Sequence, residues 1–322
     1  MDEILAVLRC PTTLERLRWS HEDALISASG LEYRYSEGVA CLLPQISGTQ
    51  ENASVREFYE GEGWCEDEGG QFGDTKAFVD TRRASLEYTR KCMARLDRHF
   101  RGGGAYLLDA GCGPLPHEEV RRYGRNFQKR VCVDLSVQAL KRARQHLGDR
   151  GIYVQGDLVK LPLEDNSMDA ITCNHVLYQL APQQQIEAML ELWRVLKPGG
   201  LAVIVYYWWP YAALAWRLER LVKALGWEGV QVAVDTKDGP RIFPQERSWF
   251  ETQQWPFHYS YDVFRVIDNP FMRRYVPEDW RGALFLRILY FLQLAAPSFC
   301  GKHGAVPAIL IHKPLAEAGA RA

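Results

Sequence analysis

Short apolar runs recur through the middle of the chain, and the first three end at an acidic residue or at glycine. Five of them occupy residues 105–108, 130–135, 153–155, 168–174 and 201–207. Each is long enough for one buried strand, and a helix-like stretch at 183–196 separates the last two. Strands that alternate with helices in this way predict an α/β fold with a doubly wound sheet.

A glycine-rich turn follows the first run. Asp109 is followed by Gly111 and Gly113, and a turn of this kind lets the backbone approach a ligand closely because no Cβ intervenes. In a doubly wound sheet the turn lies at the carboxyl edge, where ligands bind. Asp134 ends the second run about 20 residues further on, where such folds place the carboxylate that accepts ribose hydroxyls. A lone glycine turn is also typical of dinucleotide sites or of a simple corner.

The complete set of motifs is more specific. The pieces LLDAGCGP, VCVDLS, QGDLVKLPLEDNSMDAITCNHVLYQL and LWRVLKPGGLAVIV follow one another in unbroken order over residues 105–207. In this respect the chain resembles the class I S-adenosylmethionine-dependent methyltransferases of type 11. The resemblance implies a seven-stranded, Rossmann-like sheet that binds S-adenosylmethionine, and a transferase that passes its methyl group to an acceptor.

The resemblance also implies roles for individual residues. The two glycines would line the methionine part of the donor, and Asp109 would lie near its ammonium group or order the turn. Asp134 would accept charge-assisted hydrogen bonds from the ribose hydroxyls. Asp157 would either accept a hydrogen bond from the adenine amine or cap its own turn. A third glycine common in the family loop is replaced by residues 115–117, so we expect a different path there. The expected donor-binding residues are Asp109, Gly111, Gly113, Asp134, Leu135, Asp157, Leu158 and Asn174.

Catalytic candidates follow the fourth run, where the family places the floor of the methyl-transfer site. His175 is either a general base, since an unperturbed imidazole titrates near neutrality, or a satisfied core histidine. Tyr178 is the second candidate, because an aromatic face suits a sulfonium by cation–π attraction. The Asn/Asp-Pro-Pro-aromatic signature of amide and exocyclic-amine methylation is missing from residues 174–177.

Aromatic residues mark the predicted acceptor pocket. A cluster follows the fifth run at the ligand side of the sheet, and others precede the core in a glycine- and acid-rich loop that could close over the donor. An α-helical and aromatic-rich insertion, residues 208–304, comes before the expected last strand and tail at 305–322, and such loops build the pocket wall. The pocket candidates are Tyr59, Trp64, Tyr206, Tyr207 and Trp208.

Residues 1–46 form a small β-rich unit that resembles a zinc-ribbon-like domain found alone as a methyltransferase activator or fused to such enzymes. The four ligand positions of that family read Cys10, Thr13, Ile26 and Ser29 here. One cysteine cannot hold zinc, so we expect a metal-free unit that packs on the core or contacts a protein partner. Residues 47–104 are expected to be a linker and a helical lid or layer.

Composition limits the function classes. The formal net charge of the 322 residues is −1, which gives no basic field for sequence-independent nucleic-acid binding. The apolar stretch at the start is too short for a secretory signal, so we expect none. The apolar stretch 284–297 contains Arg287 and Gln293 and is too short to span a bilayer. The 8 cysteines lack framework spacing, which indicates a reducing cytoplasm.

A small-molecule acceptor is therefore the favoured hypothesis. A methyltransferase for RNA or protein, with residues 1–46 as docking module, is an alternative. So is a donor-binding protein without catalysis. An enzyme of a different class, a flavin- or nicotinamide-linked oxidoreductase, would require a fuller glycine fingerprint than this turn provides.

Overall fold

The computed structural model describes residues 2–43, 58–64, 73, 78–209, 213–227 and 242–315. Within these, one mixed sheet contains eleven strands in the order β1-β2-β3-β4-β7-β6-β5-β8-β9-β11-β10. The strands are β1 (Leu17–His21), β2 (Ala24–Ser27), β3 (Glu32–Ser36), β4 (Val39–Cys41), β5 (Gly104–Ala110), β6 (Phe127–Asp134), β7 (Gly151–Gln155), β8 (Met168–Asn174), β9 (Leu196–Val205), β10 (Tyr259–Arg265) and β11 (Val306–His312).

The centre of the sheet is parallel and doubly wound. Strands β7, β6, β5, β8 and β9 pair in parallel register, whereas β11 is antiparallel to both β9 and β10. Strand order reverses between β5 and β8, so a crevice is expected outside the carboxyl ends of these strands. The α/β, Rossmann-like prediction is confirmed. All five predicted core strands form, and the expected last strand is β11.

Helices cover both faces of this sheet. Their bounds are α1 (Asp2–Leu5), α2 (Arg83–Leu96), α3 (Glu118–Arg121), α4 (Val137–Leu147), α5 (Pro182–Val195), α6 (Ala213–Ala224), α7 (Arg247–Thr252), α8 (Asn269–Tyr275), α9 (Trp280–Ala295) and α10 (Pro297–His303). Consecutive residues of a central strand, such as Leu107 and Leu108, belong to different apolar clusters. The cluster around Leu108 includes Leu192 of α5, and the cluster around Leu107 includes Leu96 of α2 and Leu289 of α9.

The first four strands extend the main sheet. They form an antiparallel meander, and β4 then pairs in parallel with β7 through Val39↔Tyr153 and Cys41↔Gln155. Leu25 and Leu42 are fully buried in the cluster that contains Leu108. The β-rich unit therefore shares a core with the motifs of residues 105–207.

Two of the four zinc-ribbon positions, Thr13 and Ser29, are joined by hydrogen bonds through Glu15. The Oε2 atom of Glu15 accepts from the Thr13 hydroxyl at 2.9 Å and from the backbone N–H of Ser29 at 3.0 Å. The Cys10 sulfur lies 3.1 Å from the Tyr33 hydroxyl. Bonds from Ser29 and Thr13 hold the pKa of Glu15 below its ordinary value. In the described part of the chain, no group of three His, Cys, Asp or Glu residues has the arrangement of a metal site.

No individual helix among the described residues has the length and apolarity needed to cross a membrane. Helices α9 and α10 meet those criteria only together, and they are bent by 112° at their junction.

Candidate active site

The glycine turn after β5 is tied to the end of β6. Both Gly111 and Gly113 have positive φ, at 72° and 57°, a region that residues with a Cβ rarely adopt. The Gly111 N–H donates to the carbonyl of Val133 at 2.8 Å. A Cβ on Gly111 would overlap Val176, and one on Gly113 would come within 3.2 Å of the Trp64 ring. Gly111 thus permits close packing of two loops, and Gly113 faces the aromatic segment.

Asp134 lies at the carboxyl end of β6, with backbone donors on both of its oxygens. Its Oδ2 accepts from the N–H of Gly113 at 2.9 Å, and its Oδ1 accepts from the N–H of Ser136 at 2.9 Å. Removal from solvent raises the pKa of Asp134 to about 6, although these N–H groups lower it. Each carboxylate oxygen has a second lone pair, so the side chain can still accept two hydroxyl donors.

Asp109 is committed to an ion pair within the protein. Its carboxylate accepts from Nε of Arg130 at 3.0 Å and also from Nη2, and both side chains are 2% exposed. Arg130 additionally donates to the carbonyls of Val120 and Arg121. Of the two roles expected for Asp109, this geometry supports ordering of the turn.

Asp157 lies in the turn after β7. The residue is 4% exposed, and its Oδ1 accepts from the N–H of Val159 at 3.1 Å, which is the capping role weighed above. The neighbouring Leu158 is buried in the apolar core, and Leu135 is half-buried with its carbonyl accepting from Gln155 at 3.0 Å. Gly156 donates to the Asp134 carbonyl at 3.1 Å, which links this turn to the end of β6.

Tyr59 begins a π-helical turn, Tyr59–Gly63, next to these elements, and Trp64 follows it directly. Their rings stack with centroids 4.9 Å apart. The hydroxyl of Ser136 donates to the Tyr59 carbonyl at 3.4 Å, and Nε2 of Gln179 donates to the Tyr59 hydroxyl at 3.0 Å. This aromatic turn therefore bridges the ends of β6 and β8 and covers Gly113.

The segment after β8 brings Asn174, His175 and Tyr178 to the same edge. Asn174 donates to the Thr172 hydroxyl at 2.9 Å. His175 has a positive φ of 61°, and its ring contacts Phe264 edge-on at 5.2 Å and Tyr178 at 6.2 Å. Burial lowers the pKa of His175 to about 3, and the charge of Arg265 contributes. The imidazole is consequently neutral over the physiological range and a poor general base.

The aromatic residues that follow β9 point in opposite directions. Tyr206 and Trp208 are 2% and 1% exposed, and the Tyr206 hydroxyl donates to Gln185 of α5 at 2.6 Å. Tyr207 points to the other face of the sheet, where its hydroxyl donates to Asp268 at 2.9 Å and its ring lies 5.9 Å from Tyr178. Tyr206 and Trp208 are thus core residues, which corrects the pocket prediction for these two. Tyr207 remains beside the edge.

Several residues at this edge escaped the sequence analysis. Ser136 is the N-cap of α4, and its position directly after the acid of VCVDLS was a usable signal. Arg130 and Gln179 act through contacts distant in sequence, which no local pattern reveals. Arg82, directly before α2, forms an ion pair with Asp80 at 2.7 Å.

Comparison with known proteins agrees with this geometry. Residues 108–204 match the methyltransferase domain family. The ubiquinone/menaquinone biosynthesis C-methyltransferase of Idiomarina loihiensis is 36% identical over 117 residues, which are 34% of this chain and 45% of that protein. The malonyl-[acyl-carrier protein] O-methyltransferase of Pectobacterium atrosepticum is 34% identical over 126 residues, 38% of this chain and 45% of that protein.

A solved structure also matches the chain. Phosphoethanolamine N-methyltransferase 2 of Haemonchus contortus, in complex with S-adenosyl-L-methionine, has a TM-score of 0.43 and 16% identity. The match covers 84% of this chain and 58% of that one. The chain spans about half the length of the two curated relatives. The family match over residues 108–204 contains the glycine turn, Asp109 and Asp134.

Proposed function

We propose that this protein is an S-adenosylmethionine-dependent methyltransferase that acts on a small-molecule acceptor. The observation that carries the proposal is the carboxylate of Asp134, which is oriented by the N–H groups of Gly113 and Ser136 at the mouth of the crevice. The match of residues 108–204 to the methyltransferase domain family supports it independently.

The residues at this edge fit the donor. The oxygens of Asp134 have backbone amides as their hydrogen-bond partners in the described chain, so a pair of ribose hydroxyls suits them better than a cation. Gly111 and Gly113 would hold the methionine part, and Leu135 and Leu158 would lie against the adenine. Asp157 would accept from the adenine amine, and Asn174 would complete the site. When bound, the donor supplies a methyl group on a positively charged sulfur.

Transfer of that methyl is an in-line displacement, so the protein contributes by orientation and exclusion of water. Tyr59 and Trp64 cover the glycine turn and would shield the donor from solvent. Tyr178 and Tyr207 present aromatic surface near the expected sulfonium position, where cation–π attraction would favour the charge. His175, held neutral by burial and by Arg265, is suited to orient an acceptor by hydrogen bonding.

The acceptor is proposed to be an oxygen or a carbon of a small molecule. The two curated relatives are named as a C-methyltransferase and an O-methyltransferase. The missing amide and amine signature at residues 174–177 supports the same choice. We also propose that residues 1–46 hold no zinc, because the carboxylate of Glu15 bridges Thr13 and Ser29 where zinc ligands would stand. The unpaired thiols, including the buried Cys10, Cys132 and Cys173, support a reducing, cytoplasmic location.

The proposal is tested by isotope transfer. The protein is incubated with deuterated-methyl donor and, in separate reactions, with a small-molecule extract, an RNA fraction and a protein fraction of the source cell. We expect one compound of the small-molecule extract to gain a single labelled methyl group. The gain should disappear with Asp134→Ala and persist with Asp149→Ala, an exposed aspartate after α4. Label confined to RNA or protein, or no transfer at all, would refute the proposal.

A further inference from the structure

Helix α9 has two distinct faces, although its sequence is apolar all round. One face, formed by Gly282, Phe285, Leu286, Leu289 and Gln293, is buried. The other carries large apolar side chains in solvent at helical spacing. Their exposed fractions, with that of the neighbouring α10 residue, are 72% for Trp280, 47% for Leu284, 50% for Ile288, 67% for Phe291, 51% for Leu292 and 54% for Phe299.

The exposed face is fixed in orientation. The side chain of Gln293 is fully buried; its Oε1 accepts from the Tyr88 hydroxyl of α2 at 2.6 Å and from the N–H of Val266 at 3.0 Å. A rotation of the helix would bury the apolar side chains, but it would also leave these polar groups without partners. Because Val266 directly follows β10, the same bonds place this end of α9 at the carboxyl edge of the sheet, beside the candidate active site.

Helix α6 adds a second exposed apolar row on the same side of the sheet. Trp216, Leu221 and Leu225 are each about half exposed, and the Trp227 ring that follows the helix packs on Phe285 of α9 at 5.5 Å. Monomeric proteins rarely leave contiguous apolar surface of this extent in water unless something binds there. Among the described residues nothing covers it.

These segments carry more positive than negative charge. Residues 213–227 and 280–315 contain a single acid, Glu219, which is bonded to Lys223 and Tyr275. The cations of the two segments near this surface are Arg217, Arg220, Lys223, Arg281, Arg287 and Lys302. Lys313 lies at the other edge of the sheet, where it donates to the Trp193 carbonyl. The whole chain has a formal net charge of −1, so positive charge is concentrated here. Arg281 and Lys302 have acids nearby, at 2.8 Å and 3.8 Å. Arg287 is exposed beside Ile288, and its charge helps to lower the pKa of Glu87 on α2.

We propose that the exposed face of α9, with the adjoining surface of α6 and α10, rests on an anionic lipid bilayer. Tryptophan, phenylalanine and leucine flanked by arginine and lysine match the apolar boundary layer and the negative headgroups of such a surface. The 112° bend between α9 and α10 and the buried face of α9 suit a helix that lies along the membrane.

Vesicle flotation of the full-length protein tests this surface. We expect it to float with vesicles of equal parts phosphatidylcholine and phosphatidylglycerol, and to remain below with pure phosphatidylcholine or at high salt. The double variant Ile288→Ser, Phe291→Ser should bind the anionic vesicles about tenfold more weakly, and Arg287→Gln about fivefold. Leu190→Ser removes an equally accessible leucine (41% exposed) from α5 and should bind like the wild type.

The changed residues are exposed, so the variants should melt as the wild type does, which excludes misfolding as the cause of a loss. A wild-type protein that does not float with anionic vesicles would overturn the proposal, as would a double variant that floats equally well. Sedimentation velocity without lipid provides the third outcome. A wild-type dimer that the double variant converts to monomer would assign the face to a second copy of the chain.

Discussion

At the scale of single residues, Asp109 and Asp134 have different roles because they have different neighbours. Asp109 faces the guanidinium of Arg130, and breaking such a buried pair costs about 3–5 kcal/mol. Asp134 faces two backbone N–H groups and the crevice. The sequence identified both acids by their spacing from the glycines. The separation of their roles depends on Arg130, whose side chain reaches Asp109 only after β5 and β6 pair.

The raised pKa of Asp134, at about 6, predicts how donor affinity varies with pH. The ribose hydroxyls bind the ionised carboxylate, so protonation competes with binding. Affinity for S-adenosylhomocysteine should be constant above pH 7 and should fall as the pH drops below about 6, approaching tenfold per pH unit in the limit. Isothermal titration across this range measures the effect. The Asp134→Asn variant, whose side chain does not titrate, should bind S-adenosylhomocysteine weakly and with an affinity that does not change with pH. A wild-type affinity that stays constant down to pH 5 would contradict the assignment.

The lowered pKa of His175 leads to a second prediction, which can be tested without the methyl-acceptor substrate. Proton NMR should show one imidazole, among the eight histidines, that stays neutral from about pH 8 to about pH 5. His175→Asn identifies that resonance by its disappearance, and asparagine tolerates the positive φ of this position. A midpoint near 6.5 for the missing resonance would restore His175 as a candidate general base.

At the scale of elements, the parallel strands were predictable because each is a short apolar run closed by a polar turn. Strand β10 was not, since its sequence from Tyr259 to Arg265 is rich in aromatic and charged residues and resembles the rest of the insertion. The direction of side chains after β9 was equally hidden. Both faces of that strand are buried, so the residue pattern alone did not show that Tyr206 and Trp208 point into one core and Tyr207 into the other.

The position of Tyr59 and Trp64 over Gly113 predicts that this aromatic turn acts as a lid over the donor. Trp64→Ala removes the ring that lies above the glycine turn and exposes the donor to water, so we expect binding of S-adenosylhomocysteine to weaken about tenfold. Trp216→Ala, a change of the same size on α6, is the control and should bind normally. Tighter binding by Trp64→Ala would mean that the ring competes with the donor for the crevice.

At the scale of the whole molecule, we expect residues up to Cys41 to unfold together with the segment 105–207 that contains the motifs. Leu25 of β2 is fully buried in the same cluster as Val154 of β7 and Leu161. Leu25→Ala should therefore lower the free energy of unfolding by about 3 kcal/mol, in a single urea transition that shifts as a whole. Leu190→Ala, on the exposed side of α5, should change it by less than about 0.5 kcal/mol. Two separate transitions, with only the first displaced, would show that the β-rich unit folds independently.

The sequence predicted the fold class and most of the central sheet, because these depend on local periodicity and turn chemistry. It treated the first 46 residues as a unit of their own, and the pairing of β4 with β7 joins them to the sheet across more than a hundred residues of chain. It identified the acids and glycines of the candidate site, which lie in short motifs. Gln179 and Phe264 come to that site only through the folded topology.

The most direct test of the central claim is calorimetric titration of S-adenosylhomocysteine into wild-type protein, Asp134→Ala and Asp149→Ala. We expect saturable binding to the wild type and to Asp149→Ala. Loss of two charge-assisted hydrogen bonds should weaken binding to Asp134→Ala roughly a hundredfold. Absence of binding to the wild type, or equal affinity in Asp134→Ala, would contradict the account.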